Sequence, residues 1–154
     1  MVNSDLLKGL PPEEAERLLA LGKRMLLTTG AELFHLGDAA ESIYLIARGQ
    51  IRLTLPMQVR GREEDILVEE RSSGQTVGWS ALIPPHRFTL TALAPLETQV
   101  IALPREALNA YLAAHPDTGY AVSLNLANVV GQRLQLFQAM WLREVQRMVE
   151  SRCA

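Results

Sequence analysis

A mainly β domain, a barrel or jelly roll with short flanking helices and one long closing helix, is the architecture this 154-residue sequence predicts. Three observations carry the expectation. Glycines at positions 30, 37, 49, 61, 74 and 78 punctuate short runs of aliphatic and β-branched residues at the spacing of an all-β domain. Ile51, Leu53 and Leu55 alternate with Arg52 and Thr54, the two-residue period of a strand with one buried face. After Pro104 the apolar residues instead return every three or four positions, which is helical.

Taken in order, the elements follow from local chemistry. Pro11-Pro12-Glu13-Glu14 opens a helix, since proline suits the first turn and carboxylates suit its positive end, and Leu18, Leu19 and Leu21 supply an apolar side. Strands are expected at Ser42–Ile46, Ile51–Leu55, Ile66–Val68 and Thr98–Leu103, and where Phe88, Leu90 and Ala92 alternate with Thr89 and Thr91. The charged stretch Arg60–Asp65 between two strand patterns reads as an exposed hairpin tip. Arg105–Ala114 forms a helix. Past His115-Pro116-Asp117, with Asp117 or Thr118 as cap, one long helix runs to about Glu150. The expected division is therefore a roll with short helices over residues 1–116 and the long helix over 117–154.

Along that helix Leu126, Val130, Leu134, Phe137, Trp141, Val145 and Met148 form an apolar stripe, with Arg133, Arg143, Glu144 and Arg147 placed at other angles. Some thirty residues reach ~45 Å, beyond what a β domain of this size covers. The expectation is a homodimer in which the stripe meets its copy in a two-fold, coiled-coil-like seam; the alternative is a helix bent back over its own roll, with Gly131 as the bend point.

Composition removes whole classes. Apolar residues are 48% and charged residues 21%, as in a globular domain, and 15 Lys plus Arg against 17 Asp plus Glu leave a charge of −2. With no global cationic field, any anion site has to be local. The single cysteine, Cys153, closes no intrachain disulfide and builds no thiolate metal cage, which suits a reducing cytoplasm. Met1–Lys8 lacks a signal-peptide pattern, and no run of about 18 apolar residues crosses a membrane. His35, His86 and His115 form no close pair, so no metal site is expected. Asp38 after Gly37 reads as an Asx-type turn. Nucleophile-elbow and phosphate-loop motifs are lacking, and no enzymatic function is expected.

The segments Leu6-Leu-Lys-Gly-Leu-Pro-Pro-Glu-Glu14, Gly30-Ala-Glu-Leu-Phe-His-Leu-Gly-Asp38, Ile43-Tyr-Leu-Ile-Ala-Arg-Gly-Gln-Ile51 and Gly74-Gln-Thr-Val-Gly-Trp-Ser-Ala-Leu82 together resemble a cyclic-nucleotide-binding domain of the Crp/Fnr (catabolite activator protein) type. The likeness runs through nearly the whole chain. It implies an eight-stranded antiparallel β-roll followed by a dimerising helix, with a ligand inside the roll whose cyclic phosphate is held by a glycine turn, one helical turn and a strand start. Amide groups at such a turn face the anion, an arginine adds a bidentate bond, and a glutamate after the glycine takes the ribose hydroxyl.

In this chain the corresponding ligand-binding residues are Gly78, Trp79, Ser80, Ala81, Arg87, Phe88 and Thr89. Trp79 stands where the ribose glutamate would be, so the hydroxyl acceptor is missing; leaving that hydroxyl unpaired costs about 1 to 3 kcal/mol. Arg87 falls one residue early relative to Gly78, and aligning on Thr91-Ala92 puts Phe88 in the arginine's place. Strand alternation then turns Arg87 away from the pocket unless the Pro84-Pro85-His86 loop absorbs the slip. Gly78, Ser80 and Ala81 keep their amides, and Ser80 adds a hydroxyl.

The expected function is a non-enzymatic sensor that binds a cyclic nucleotide (cAMP or cGMP) weakly, or another small anion, and signals through the dimer helix. The alternatives are a ligand-free dimerisation scaffold closed by Trp79 and a regulator truncated before its helix-turn-helix domain. The sequence ends near the helix's own end, with no length for a DNA-recognition helix, and the Met1 start with the Ser151–Ala154 ending favours a stand-alone module.

Overall fold

The computed structural model describes residues 4–153; Met1 and Ala154, the two outermost residues of the start and ending read above, lie outside them. The helix α1 (Pro12–Leu19) is followed by strands β1 (Lys23–Leu27), β2 (Glu32–Phe34), β3 (Ser42–Arg48), β4 (Gln50–Val59), β5 (Arg62–Ser72) and β6 (Thr76–Val77). A one-turn 3-10 helix (Trp79–Leu82), β7 (Thr91–Leu93), β8 (Thr98–Pro104), α2 (Arg105–Ala114) and α3 (Pro116–Cys153) complete the chain. The strands form two four-stranded antiparallel sheets, ordered β1-β8-β3-β6 and β2-β7-β4-β5. This is the expected β-roll with its long C-terminal helix.

The core lies between the sheets and is capped by α1, α2 and the first half of α3. Leu6, Leu18, Ile43, Leu45, Ile46, Ile51, Leu53, Val100, Leu103, Leu108 and Val122 are its largest buried side chains. Two expectations need correcting in detail. Regular pairing over Phe88–Ala92 begins only at Thr91, although Phe88 and Leu90 are still buried, and the hairpin tip is narrowed to Arg60-Gly61, with Arg62–Asp65 already in β5 opposite Pro56–Val59. The backbone bonds of β4 continue to the turn, so charge there decorates a paired strand.

A register shift between Leu53 and Thr54 sets which face of β5 looks inward. Ile51 pairs with Arg71 and Leu53 with Glu69, so two charged side chains share the face of two core residues, while the Arg52–Glu70 pair sits outside with Nε 2.9 Å from Oε1.

Gly49, at the β3–β4 turn, has φ +101°, and a Cβ there would lie 2.5 Å from Thr98 Oγ1 and 2.8 Å from the Glu97 carbonyl oxygen. Thr98 is fully buried, and its hydroxyl accepts from the Gln50 N–H at 3.1 Å, so it cannot simply retreat. Gly49→Ala is therefore expected to cost about 1–3 kcal/mol, read from urea midpoints. A cost below a few tenths would remove the steric argument.

The three helices meet at Glu14. Tyr111 Oη and Thr118 Oγ1 both donate to Glu14 Oε1, and Arg17 Nη1 donates to Oε2 at 3.0 Å. The Tyr111 bond, then the Thr118 bond, then Arg17 hold the Glu14 carboxyl below its ordinary value. A depressed folded-state value means stability that is present above about pH 4.5 and lost as pH falls through the folded value. Wild-type stability should drop more steeply than that of Glu14→Gln when urea unfolding is compared at neutral pH and below pH 4.5. Parallel acid profiles would contradict this.

The helix α3, with 38 residues, extends about 57 Å. Thr118, Val122, Val129 and Arg133 are its buried residues. Leu126 packs partly against the core, and from Leu134 to Cys153 no side chain is buried. The helix does not fold back over its own roll: Leu134, Phe137, Trp141 and Met148 are exposed. No helix among the described residues is long and apolar enough to cross a membrane.

Candidate functional site

The cassette begins where β6 ends. Gly78 adopts φ +80°, a left-handed conformation, and a Cβ there would meet Phe88 Cε1 and Tyr44 Cδ2 at 3.2 Å, so glycine serves both the turn and the packing. It caps the 3-10 turn, in which the Ala81 N–H bonds the Gly78 carbonyl at 3.1 Å. Ser80 and Ala81 are buried and Trp79 is half-buried. From the start of α2, Arg105 Nη1 donates to the carbonyls of Ala40 (2.6 Å) and Ala81 (3.3 Å), clamping the turn to the β2–β3 connection. Nothing in the sequence pattern marked Arg105 for this.

The next segment decides the question that Arg87 left open. Phe88 N–H bonds the Asp38 carbonyl, Gly37 N–H bonds the Phe88 carbonyl, and Arg87 bridges Ala39, so residues 86–88 run antiparallel to 37–40. In that register Phe88 is buried, while Arg87 and Thr89 are exposed. The slip is not absorbed. Arg87 Nη1 donates outward to the Gly37 carbonyl at 2.9 Å, and Phe88 lies parallel to Phe34 with centroids 3.8 Å apart. Tyr44 flanks the pair at 5.9 Å, and burial, with Glu41's charge second, pushes its hydroxyl above the ordinary value.

The cavity beside the cassette is bordered by Leu53, Gly78, Trp79, Ser80, the two phenylalanines, Thr89 and Leu90. Its fourth side is Arg133 of α3. The space holds about 10 Å³, at the lower limit for a single water. The aromatic pair and the helix thus close the interior in this conformation.

Arg133 corrects the sequence reading, which placed it away from the packed face. It is 7% exposed, and its Nη2 donates to Glu69 Oε2 at 2.5 Å. Its position is legible in hindsight, because it continues the buried series Thr118, Val122, Val129 at helical spacing. Burial holds the Arg133 guanidinium below its ordinary value; Arg71 adds to that and Glu69 opposes it. Glu69 and Arg71 were also missed, since a charged pair on the inward face of β5 breaks the alternation on which strand reading depends.

The histidines do not converge. His35 lies 3.3 Å from Glu32, His86 Nδ1 is 3.4 Å from the Ser80 carbonyl oxygen, and His115 stacks on Tyr111. Among the described residues no three His, Cys, Asp or Glu side chains cluster. Asp38 accepts the His35 N–H through Oδ2, closing the turn between β2 and β3.

Roll, cassette and long helix in this order define a domain of the Crp/Fnr type. The chain belongs to the cyclic nucleotide-binding domain family, whose profile matches residues 24–115. It is 30% identical over 135 residues to the cyclic AMP receptor protein of Thermus thermophilus, covering 88% of this chain and 59% of that protein. Among solved structures, the Thermus thermophilus catabolite activator protein superposes with a TM-score of 0.77 at 29% identity, over 93% of this chain and 63% of the other. The N-terminal domain of a transcriptional regulator from Streptomyces coelicolor A3(2) gives 0.68 at 25% identity, over 90% and 92%. The chain spans about three fifths of the first two relatives.

Proposed function

We propose that this chain is a non-enzymatic regulatory module that takes a cyclic nucleotide (cAMP or cGMP) or another small anion between roll and helix and signals through α3 in a cytoplasmic homodimer. Residues 1–116 form the receiving roll and 117–154 the transmitting helix. The observation that carries the reading is Arg133: a residue of α3 walls the same cavity as Gly78, Trp79 and Ser80, so an occupant of the cassette necessarily touches the helix. The amides of Gly78 and Ser80 are the anion donors in this reading, the Ala81 N–H being bonded to the Gly78 carbonyl within the turn, with Trp79, Phe88 and Thr89 shaping the pocket. A second reading, a ligand-free dimerising scaffold, is favoured by the 10 Å³ cavity. The coverage of the relatives is compatible with the N-terminal part of a longer regulator.

Calorimetry against cyclic AMP and cyclic GMP separates the two readings. Saturable heat supports the sensor; none at millimolar nucleotide supports the scaffold. Because the Arg87 guanidinium rests on the Gly37 carbonyl outside the pocket, Arg87→Ala is expected to leave the affinity within about twofold. A loss of tenfold or more would show that Arg87 swings inward on binding.

A further inference from the structure

The interior of the roll holds more buried cation than buried anion. The side chains of Arg71 and Arg133 are 8% and 7% exposed, and both turn on the single carboxylate of Glu69, itself 14% exposed. Arg133 Nη2 donates to Glu69 Oε2 at 2.5 Å. Arg71 Nε lies 3.2 Å from Glu69 Oε1 without the alignment of a hydrogen bond, and the Nε atoms of both arginines are unpartnered. Among the described residues no second carboxylate lies within ion-pairing distance of either guanidinium. The cluster therefore carries one net positive charge in a place where unpaired charge and unmade hydrogen bonds are both costly. Arg133 also walls the cavity beside Gly78 and Ser80, so this excess charge and the cassette face one space.

We propose that Glu69 is a built-in counter-ion occupying an anion site whose cationic walls are Arg71 and Arg133, and that a monoanionic phosphodiester group enters by displacing Glu69 from Arg133. The inference rests on reading the cavity as a ligand site and names the groups that receive the charge. A single negative charge is what the cluster lacks: Glu69 stays with Arg71, and the incoming group takes Arg133 with the Ser80 side of the cassette. Because Glu69 belongs to β5 and Arg133 to α3, exchange of partners loosens the tie between sheet and helix, so occupancy is read out as a change in α3. The site as seen is the self-occupied form.

The test uses the full chain and dimethyl phosphate, a minimal phosphodiester monoanion, against sodium chloride of equal ionic strength. Melting midpoints are measured for wild type, Glu69→Gln and the double variant Glu69→Gln with Arg133→Met. Removing the internal competitor should lower the Glu69→Gln midpoint in chloride and restore it with dimethyl phosphate, at half-saturation about tenfold or more below wild type. The double variant should not respond. If Glu69→Gln does not fold, Glu69→Asp, whose shorter side chain withdraws from Arg133, carries the same expectation. A Glu69 variant no more responsive than wild type, or a double variant that responds equally, overturns the proposal. Cyclic AMP titrations of the same proteins keep the two readings apart. Binding that Glu69→Gln does not tighten overturns the counter-ion role and leaves the proposed sensor standing, whereas a dimethyl phosphate response without cyclic AMP binding supports the site and removes that nucleotide as its occupant.

Discussion

Phe88→Ala is expected to lower the stability of the domain by about 3–5 kcal/mol, a fall in the melting midpoint on the order of 10 °C. Phe88 is 5% exposed, stacks on Phe34 at 3.8 Å and lies against Gly78. Truncation removes a ring from a closed interior that cannot collapse, because Gly78 is held by its turn and Phe34 by β2. Equilibrium urea unfolding at fixed protein concentration reads the loss. Phe88→Leu, which keeps most of the volume, should cost well under half as much. A Phe88→Ala cost under 1 kcal/mol would mean that the aromatic pair is not part of the stabilising core, and that the cavity opens more readily than its packing implies.

How much of this was legible beforehand differs from residue to residue. The strand at β4 follows from alternation, because a half-buried strand writes its two-residue period directly into the chain, while β3 and β8 were legible as aliphatic runs between glycine turns. The segment around Phe88 was legible as buried but not as irregular. Its alternation persists while its partner is a turn, residues 37–40, whose geometry no local pattern encodes. Arg87 shows the same limit from the other side: the sequence offered two registers, and the bonds to Gly37, Asp38 and Ala40 chose between them. Glu69, Arg71 and Arg133 were invisible as a group, since they come from β5 and α3, 62 to 64 residues apart in the chain, and charge on a buried face runs against the rule by which faces are read.

In the homodimer proposed above, placing glutamates at both Leu134 and Trp141 should separate the two copies into monomers. The two residues are 57% and 66% exposed on a helix that its own roll stops covering at Arg133, and with Phe137, Val145 and Met148 they continue at steps of three and four. A stripe of that kind in water is stabilised by burial against its copy, and two like charges facing each other across a two-fold seam reverse the gain. Sedimentation equilibrium at micromolar concentration should give twice 17.1 kDa for the wild type and 17.1 kDa for the double variant. A monomeric wild type would remove the dimer, and with it the route by which α3 would carry a signal between protomers.

The helix–strands–helices order and the presence of a long closing helix were determined by the sequence alone, because they rest on local periodicity and turn chemistry, while the eight-stranded roll and the cassette's place after Gly78 were legible through the family resemblance; the helix itself runs 38 residues, longer than the thirty or so its pattern marked. The inward turn of Phe88, the outward turn of Arg87 and the closure of the cavity were decided only in three dimensions. So was the placing of one half-buried glutamate between two buried arginines. In these cases the energy lies in contacts between segments distant in the chain, and a side chain's direction depends on which backbone its neighbour bonds to rather than on its own identity.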